Sequence, residues 1–258
     1  MGPDLPPETY LLPTQPAVGY PEYVTILMYR GLFKPLAVVL SLWAGGLSLH
    51  AAEQNIRPGI NKQYENPEFS RWVAAFEHSD REVFAKRHVI IKALNLKKGM
   101  HVADVGAGTG LFSLLIAQEI GPKGILYAVD ISSTFIDNIL RRAREAGLNQ
   151  VVGLVSSQHD SRLAPNGVDL IFICDTYHHF EYPRSLLKSL AAALRPEGQL
   201  VIIDFHKKKG ETPQWVMEHV RADKQEVIAE VEAAGFRKIE DLELMRTNYF
   251  LRFKRGGR

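Results

Sequence analysis

The segment His101-Val102-Ala103-Asp104-Val105-Gly106-Ala107-Gly108-Thr109-Gly110 governs the reading of this chain. Its first half is a short buried strand. Its three alternating glycines form a tight turn that opens a helix at Leu111-Phe112-Ser113-Leu114-Leu115-Ile116. Glycines at this spacing let the backbone pass close under a ligand, where a Cβ would collide. The unpaired N–H groups that begin the helix then point at that ligand. The dinucleotide fingerprint G-x-G-x-x-G would need its third glycine at position 111, which is Leu111. Here the third glycine comes one residue early, at Gly110, and an acid, Asp104, stands two residues before the first.

Downstream, strands and helices alternate. Gly124–Asp130, Val151–Ser156, Val168–Cys174 and Gln199–Phe205 read as strands, with helices over Ser132–Ala146 and Tyr182–Leu194. That pitch implies a parallel sheet covered on both faces. A helix over Pro213–Ala234 stops at Gly235, and two strand-like runs, Phe236–Leu244 and Asn248–Lys254, follow with little between them. Such a pair is a hairpin and therefore antiparallel. Upstream, Asn55–Asn66 reads as a loop. Pro67 starts a helix over Glu68–His78 with Phe69, Trp72, Val73 and Phe76 on one stripe. Ser79-Asp80 reads as a cap for a second helix, Arg81–Leu94, with Val83, Phe84, Val89, Ile90 and Leu94 inward.

The pattern D-x-G-x-G-x-G resembles the first motif of class I S-adenosylmethionine (SAM)-dependent methyltransferases of the small-molecule type. The resemblance spans roughly Arg81–Arg252. It implies an α/β, Rossmann-like, doubly wound seven-stranded sheet with a C-terminal antiparallel hairpin and helices on both faces. SAM carries no pyrophosphate, but its amino group and sulfonium are cationic, and Asp104 is placed to face them. Gly106, Ala107, Gly108 and Gly110 would cradle the donor. Asp130 ends a strand about 20 residues past the turn, where an acid accepts hydrogen bonds from a ribose diol. Ile131 offers adenine an apolar face.

After the third strand the family has an acid that reads the adenine edge. This chain departs from that, with Gln158-His159 at the position and Asp160 following, so Gln158 and Asp160 are alternatives for the contact. An amide oxygen can still accept from adenine N6. Asp175-Thr176-Tyr177-His178-His179-Phe180 looks like the family's loop after strand four. The resemblance sets Asp175 beside the methionine end of SAM and makes Tyr177, His178 and His179 the catalytic candidates facing a small acceptor, a thiol, hydroxyl or amine. A neutral histidine can take the acceptor's proton; the alternative is that the histidines only pack and alignment supplies the rate. Trp72, Phe76, Arg81 and Phe84 are candidates for a lid. No compact metal motif is present, although Asp175, Asp204 and His206 end adjacent strands. Leu194-Arg195-Pro196-Glu197-Gly198 resembles the family's turn before strand five, and His206-Lys207-Lys208-Lys209 is a basic loop on the ligand side.

The 258 residues carry a net charge of +2, too small for a nucleic-acid surface. A single cysteine, Cys174, excludes an intramolecular disulfide framework and reads as a buried strand residue. Residues 1–27 are proline-rich and without period, and read as disordered. Met28–Lys34 is basic, Leu36–Leu49 is uncharged and mostly apolar, and Ala51-Ala52 follows. That is the layout of a secretory signal peptide starting at Met28. A membrane anchor, for which the run is short against about 20 residues, and a buried helix are the alternatives. Export to a periplasm sits awkwardly with a cytosolic donor; an uncleaved leader would leave the domain in the cytoplasm. Residues 53–98 form a helical lid in this reading, and 99–258 the SAM-binding domain. Rival functions are a NAD-dependent oxidoreductase, which the glycine count disfavours, and a non-catalytic SAM-binding protein.

Overall fold

The computed structural model describes residues 53–256. The expected disordered extension and leader over residues 1–52 lie outside these. Among the described residues no helix is long and apolar enough to cross a membrane.

Strand β1 (His101–Val105) lies in the middle of a sheet because both of its faces are apolar; Val102, Ala103 and Val105 are buried. It pairs in parallel with β2 (Ile125–Asp130) on one side and β4 (Val168–Cys174) on the other. β3 (Val151–Val155) adds to β2. β5 (Leu194–Phe205) adds to β4, and β7 (Asn248–Arg255) and β6 (Phe236–Leu242) close that edge antiparallel. The order is β3-β2-β1-β4-β5-β7-β6, the doubly wound sheet and hairpin expected from the sequence. Helices α5 (Leu111–Ile120) and α6 (Ser133–Glu145) cover one face, burying Ile116, Ile136 and Ile139 against Val102, Leu126 and Phe172. Helices α7 (Pro183–Ala193) and α9 (Lys224–Ala233) cover the other, with Leu187, Leu190 and Val231 against Ile171, Ile173 and Leu251.

The chain reverses its winding between β1 and β4, so a crevice opens at their carboxyl ends. Gly106 sits there with φ +72°, and a Cβ on it would overlap the side chain of Thr176, which follows β4. Gly110, at φ +83°, starts α5; a Cβ there would lie 2.8 Å from Ile139 Cγ1. Gly106→Ala therefore combines a left-handed backbone with overpacking. It is expected to cost about 2–3 kcal/mol, read as a lower denaturation midpoint at unchanged m-value.

Several local expectations are corrected. The 55–66 loop contains a short helix, α1 (Lys62–Glu65). The helix expected over 81–94 is two pieces, α3 (Glu82–Ala85) and α4 (Arg87–Ala93), because Lys86 leaves helical geometry. The break changes the helical phase, so Val89 is exposed while Ile90 and Leu94 are buried. Arg81, and not Ser79 or Asp80, occupies the cap position of α3. The helix expected over 213–234 is α8 (Gln214–His219) and α9, because Asp223 and Glu226 form a capping box that starts a new helix. The segment Arg195–Gly198 lies within β5 at a register irregularity between Val168 and Leu170. It is thus part of the strand and not a turn before it. Cys174 is only half-buried, at the open end of β4.

Candidate active site

The carboxyl ends of β1, β2, β4 and β5 and the helices before β1 enclose a cavity of about 1320 Å³. A single drug-sized ligand typically fills ~300–1,000 Å³, so this cavity has room for two small molecules together. Asp104, Gly106, Ala107, Gly108, Asp130, Ile131, Gln158, Asp175, His178 and His179 all line it.

At the glycine-turn end, Asp130 holds the turn in shape. Its Oδ2 accepts from the Gly108 N–H at 2.9 Å and its Oδ1 from Ser132 N–H at 2.9 Å. Asp104 accepts on Oδ2 from Ser113 Oγ at 2.6 Å, and the only residue that donates to its carboxylate among the described residues is Ser113. Burial pushes both carboxyls up. Asp104 rises to about 7, with nearby Asp130 adding to the effect of desolvation and the Ser113 hydroxyl opposing it. Asp130 rises to about 6, its backbone donors opposing desolvation. Two buried acids with spare lone pairs suit a ligand that brings positive charge and hydroxyl donors.

The other end is built by the loop after β4. A 3-10 turn over Tyr177–His179 sets successive side chains in different directions. Tyr177 turns into the core, where its hydroxyl donates to Glu230 at 2.7 Å, and it does not line the cavity. The expectation that Tyr177 faces an acceptor is therefore corrected: the position after Thr176 packs against α7 and α9, not toward the crevice. Burial, with Glu230 close by, pushes its phenol far above the ordinary range. His178 faces the cavity, with Nδ1 2.7 Å from Asp204 Oδ1, while Asp204 Oδ2 accepts its backbone N–H at 3.0 Å. His179 stacks edge-on to Tyr64 at 5.1 Å, and its Nε2 lies 3.3 Å from Nε2 of His219, the last residue of α8. Burial, reinforced by its histidine neighbours and Arg57, depresses His179 to about 2, so the ring is neutral.

Three further expectations change at the cavity wall. His159 is exposed, stacks on Tyr182 at 3.8 Å and lies outside the cavity. Asp160 serves a surface turn, accepting from Arg162 N–H at 2.8 Å and Ser189 Oγ at 2.9 Å. Gln158 is the member of that trio on the wall. Gly110 is buried behind the turn rather than on the wall. Asp175 is on the wall at φ +50°, but its carboxylate is already held by Arg81 at 2.5 Å and Asn248 Nδ2 at 2.6 Å. Desolvation moves it upward despite Arg81.

The segment before β1 roofs the cavity. Helix α2 (Phe69–Phe76) has a strong apolar stripe, yet none of its residues is fully buried. Trp72 and Phe76 are half-buried because they face the cavity, clustering with Tyr64 at 4.6 Å and 6.5 Å. Arg81 lies over the Phe76 ring at 5.0 Å. Phe84 packs under Arg87 away from the cavity. Three contacts that sequence reasoning missed fix this roof. Glu77 and Arg142 pair bidentately, and Arg142 also donates to Thr109 O at 2.8 Å. Asn61 Nδ2 donates to His179 O at 2.9 Å. Glu82 collects the N–H groups of Arg246 and Thr247; against the cost of partial burial, these bonds hold its carboxyl down at about 2.

Comparison with known proteins identifies relatives for this site. A family described as "Methyltransferase domain" matches residues 96–248. A demethylmenaquinone methyltransferase from Listeria welshimeri is 26% identical over 141 residues, 53% of this chain and 60% of the relative. A ubiquinone/menaquinone biosynthesis C-methyltransferase from Neisseria gonorrhoeae is 30% identical over 124 residues, 47% of this chain and 49% of the relative. This chain thus spans about half to three-fifths of the length of those proteins. Among solved structures, a SAM-dependent methyltransferase from Aquifex aeolicus superposes with a TM-score of 0.64 and 28% identity, covering 72% of this chain and 98% of the other.

Proposed function

The chain belongs to the class I SAM-dependent methyltransferases, and from that premise we propose that it methylates a small, flat, largely apolar acceptor through a thiol, hydroxyl or amine. The observation that carries this reading is one cavity with two chemically different ends. The acidic glycine-turn end suits the cationic donor. The far end is walled by Tyr64, Trp72 and Phe76 and supplied with histidines, which suits an apolar body carrying one polar atom.

In this reading Asp130 takes the ribose diol and Asp104 takes the SAM ammonium. Ile131 packs on adenine and Gln158 accepts from its amino group. Arg81 and Asp175 tie the roof to the sheet. Asp204 fixes the His178 ring with Nδ1–H donating to it, so Nε2 presents a lone pair to the acceptor's proton. Methyl transfer from a sulfonium is downhill, so holding the acceptor in line supplies much of the rate. The names of two relatives, a demethylmenaquinone methyltransferase and a ubiquinone/menaquinone biosynthesis C-methyltransferase, agree with an apolar acceptor, although the second names carbon as the atom methylated in that protein. Incubation with SAM and a panel of aromatic and aliphatic thiols, phenols and amines tests this. S-adenosylhomocysteine release with at least one apolar member is expected, and release with none, in protein that binds SAM, contradicts it.

Asp104 makes the donor site pH-dependent. Its folded pKa, about 7, stands above the ordinary 3.8. The ligand-free protein therefore loses stability as pH rises from the lower value to the higher, where the buried acid must ionise. A bound ammonium reverses the preference. SAM affinity is then expected to rise as pH increases toward about 7, where Asp104 ionises, and to fall again above about 8, where the SAM amino group loses its proton. Calorimetry in buffers of different ionisation enthalpy should show proton release on binding below the first of these. Asp104→Asn should bind weakly and release fewer protons.

A further inference from the structure

The acceptor end holds a side-chain constellation that general acid–base work does not require. His178, His179 and His219 come from two separate elements, the 3-10 turn and the end of α8. One ring nitrogen from each lies within 4.8 Å of the other two. The two Nε2 atoms of His179 and His219 are 3.3 Å apart. Two nitrogens bound to one tetrahedral zinc at ~2.0–2.1 Å stand about 3.3–3.4 Å from each other. That pair already has ligand spacing, and the third, within 4.8 Å of both, must close by at most about 1.5 Å to reach it.

The surroundings favour ligation over mutual hydrogen bonding. His178 Nδ1 is engaged by Asp204 at 2.7 Å, which leaves Nε2 as its free ligand atom; this is the same lone pair that takes the acceptor's proton in the metal-free site, so ligation replaces that base role and does not add to it. A carboxylate behind an imidazole in this way fixes the tautomer and raises the basicity of a metal-bound histidine. His179 Nδ1 is buried without a partner among the described residues. The ring is thus held against His219 by packing, at a cost that the 3.3 Å contact does little to offset. Arg57 lies near enough to oppose a divalent charge, while Asp204 and Asp175 offset it.

We propose that His178, His179 and His219 bind a divalent transition-metal ion of the zinc class, with Asp204 supporting His178 and a fourth position open to the cavity. Three neutral imidazoles suit zinc, cobalt, nickel or copper and not magnesium or calcium. An open fourth position is the arrangement of a catalytic site. Its role rests on the acceptor reading above. A thiol or hydroxyl entering that position gives its proton to solvent and attacks the SAM methyl carbon. The carbon–sulfonium bond breaks, its electron pair stays on sulfur, and S-adenosylhomocysteine leaves. The proposal departs from the expectation of no metal ligands, and the partner that completes the set, His219, is 40 residues from His179.

The test uses the untagged full chain, stripped with a chelator and titrated with Co²⁺. Stoichiometric binding with the visible absorption of a four-coordinate cobalt, displaced by Zn²⁺, is expected. Asp204→Asn should weaken it by about 10–100-fold, and His219→Ala should abolish the four-coordinate spectrum while SAM binding, measured by calorimetry, persists. No stoichiometric cobalt on the wild-type chain, or an unchanged spectrum in a His219→Ala chain that still binds SAM, overturns the proposal. Loss of SAM binding by the wild-type chain would instead overturn the donor reading, so the two failures are separable.

Discussion

Asp130→Ala is expected to weaken SAM binding by about 10²–10⁴-fold, because two charge-assisted hydrogen bonds to the ribose diol are lost, each worth about 1.5–3 kcal/mol. The variant also releases the N–H groups of Gly108 and Ser132, which Asp130 holds at 2.9 Å each. Part of the loss therefore comes from a glycine turn that is no longer pre-shaped. Asp130→Asn separates the two contributions. Its single amide oxygen can satisfy one of the two backbone donors, so the turn is partly kept while the charge is removed. Isothermal titration of both variants, with thermal melts beside them, should give an asparagine variant between wild type and alanine in affinity. Equal affinities for all three would remove Asp130 from the donor site.

His178→Ala is expected to lower turnover by about 10²–10⁴-fold, the range for losing a positioned proton acceptor, with SAM affinity unchanged. The same separation between turnover and donor binding is expected in Asp204→Asn, to a smaller degree, because the imidazole remains but its tautomer is no longer fixed. Asp204 is 1% exposed and bonds both the ring and the backbone of His178, so its melt must be measured alongside. A Tyr177→Phe variant provides the contrast. Its hydroxyl reaches Glu230 in the core, so stability should fall modestly while the acceptor chemistry stays intact. Single-turnover rates at saturating SAM distinguish these cases. A His178→Ala enzyme at wild-type speed would reduce the histidine to packing.

The sheet was legible because buried parallel strands are short apolar runs, and Leu126–Val129, Leu170–Cys174 and Val201–Ile203 are such runs between clear turn signals. The donor end was legible for a related reason. Gly106, Gly108 and Asp130 act through backbone geometry and strand-end position, which spacing encodes directly. The breaks at Lys86 and at Val220–Asp223 were not read, although Asp223-Lys224-Gln225-Glu226 carries a capping-box signature inside the apparent helix. Missing that break hid His219, because a continuous helix would not end there. The direction of Tyr177 was not legible either. Three consecutive residues of a 3-10 turn diverge, and composition alone does not say which one faces the crevice. The roof contacts of Asn61, Glu77 and Glu82 join residues far apart in the chain, and no local pattern announces them.

The central claim is that the crevice between β1 and β4 is shaped for a sulfonium nucleoside and not for a diphosphate-bridged one. Calorimetric titration of the purified chain with SAM and, separately, with NAD at the pH of highest SAM affinity addresses it. The account predicts saturable one-to-one binding of SAM, weakened in the Asp104 and Asp130 variants and undisturbed by excess NAD. Saturable binding of NAD with no heat from SAM, or SAM binding indifferent to both acids, would contradict it.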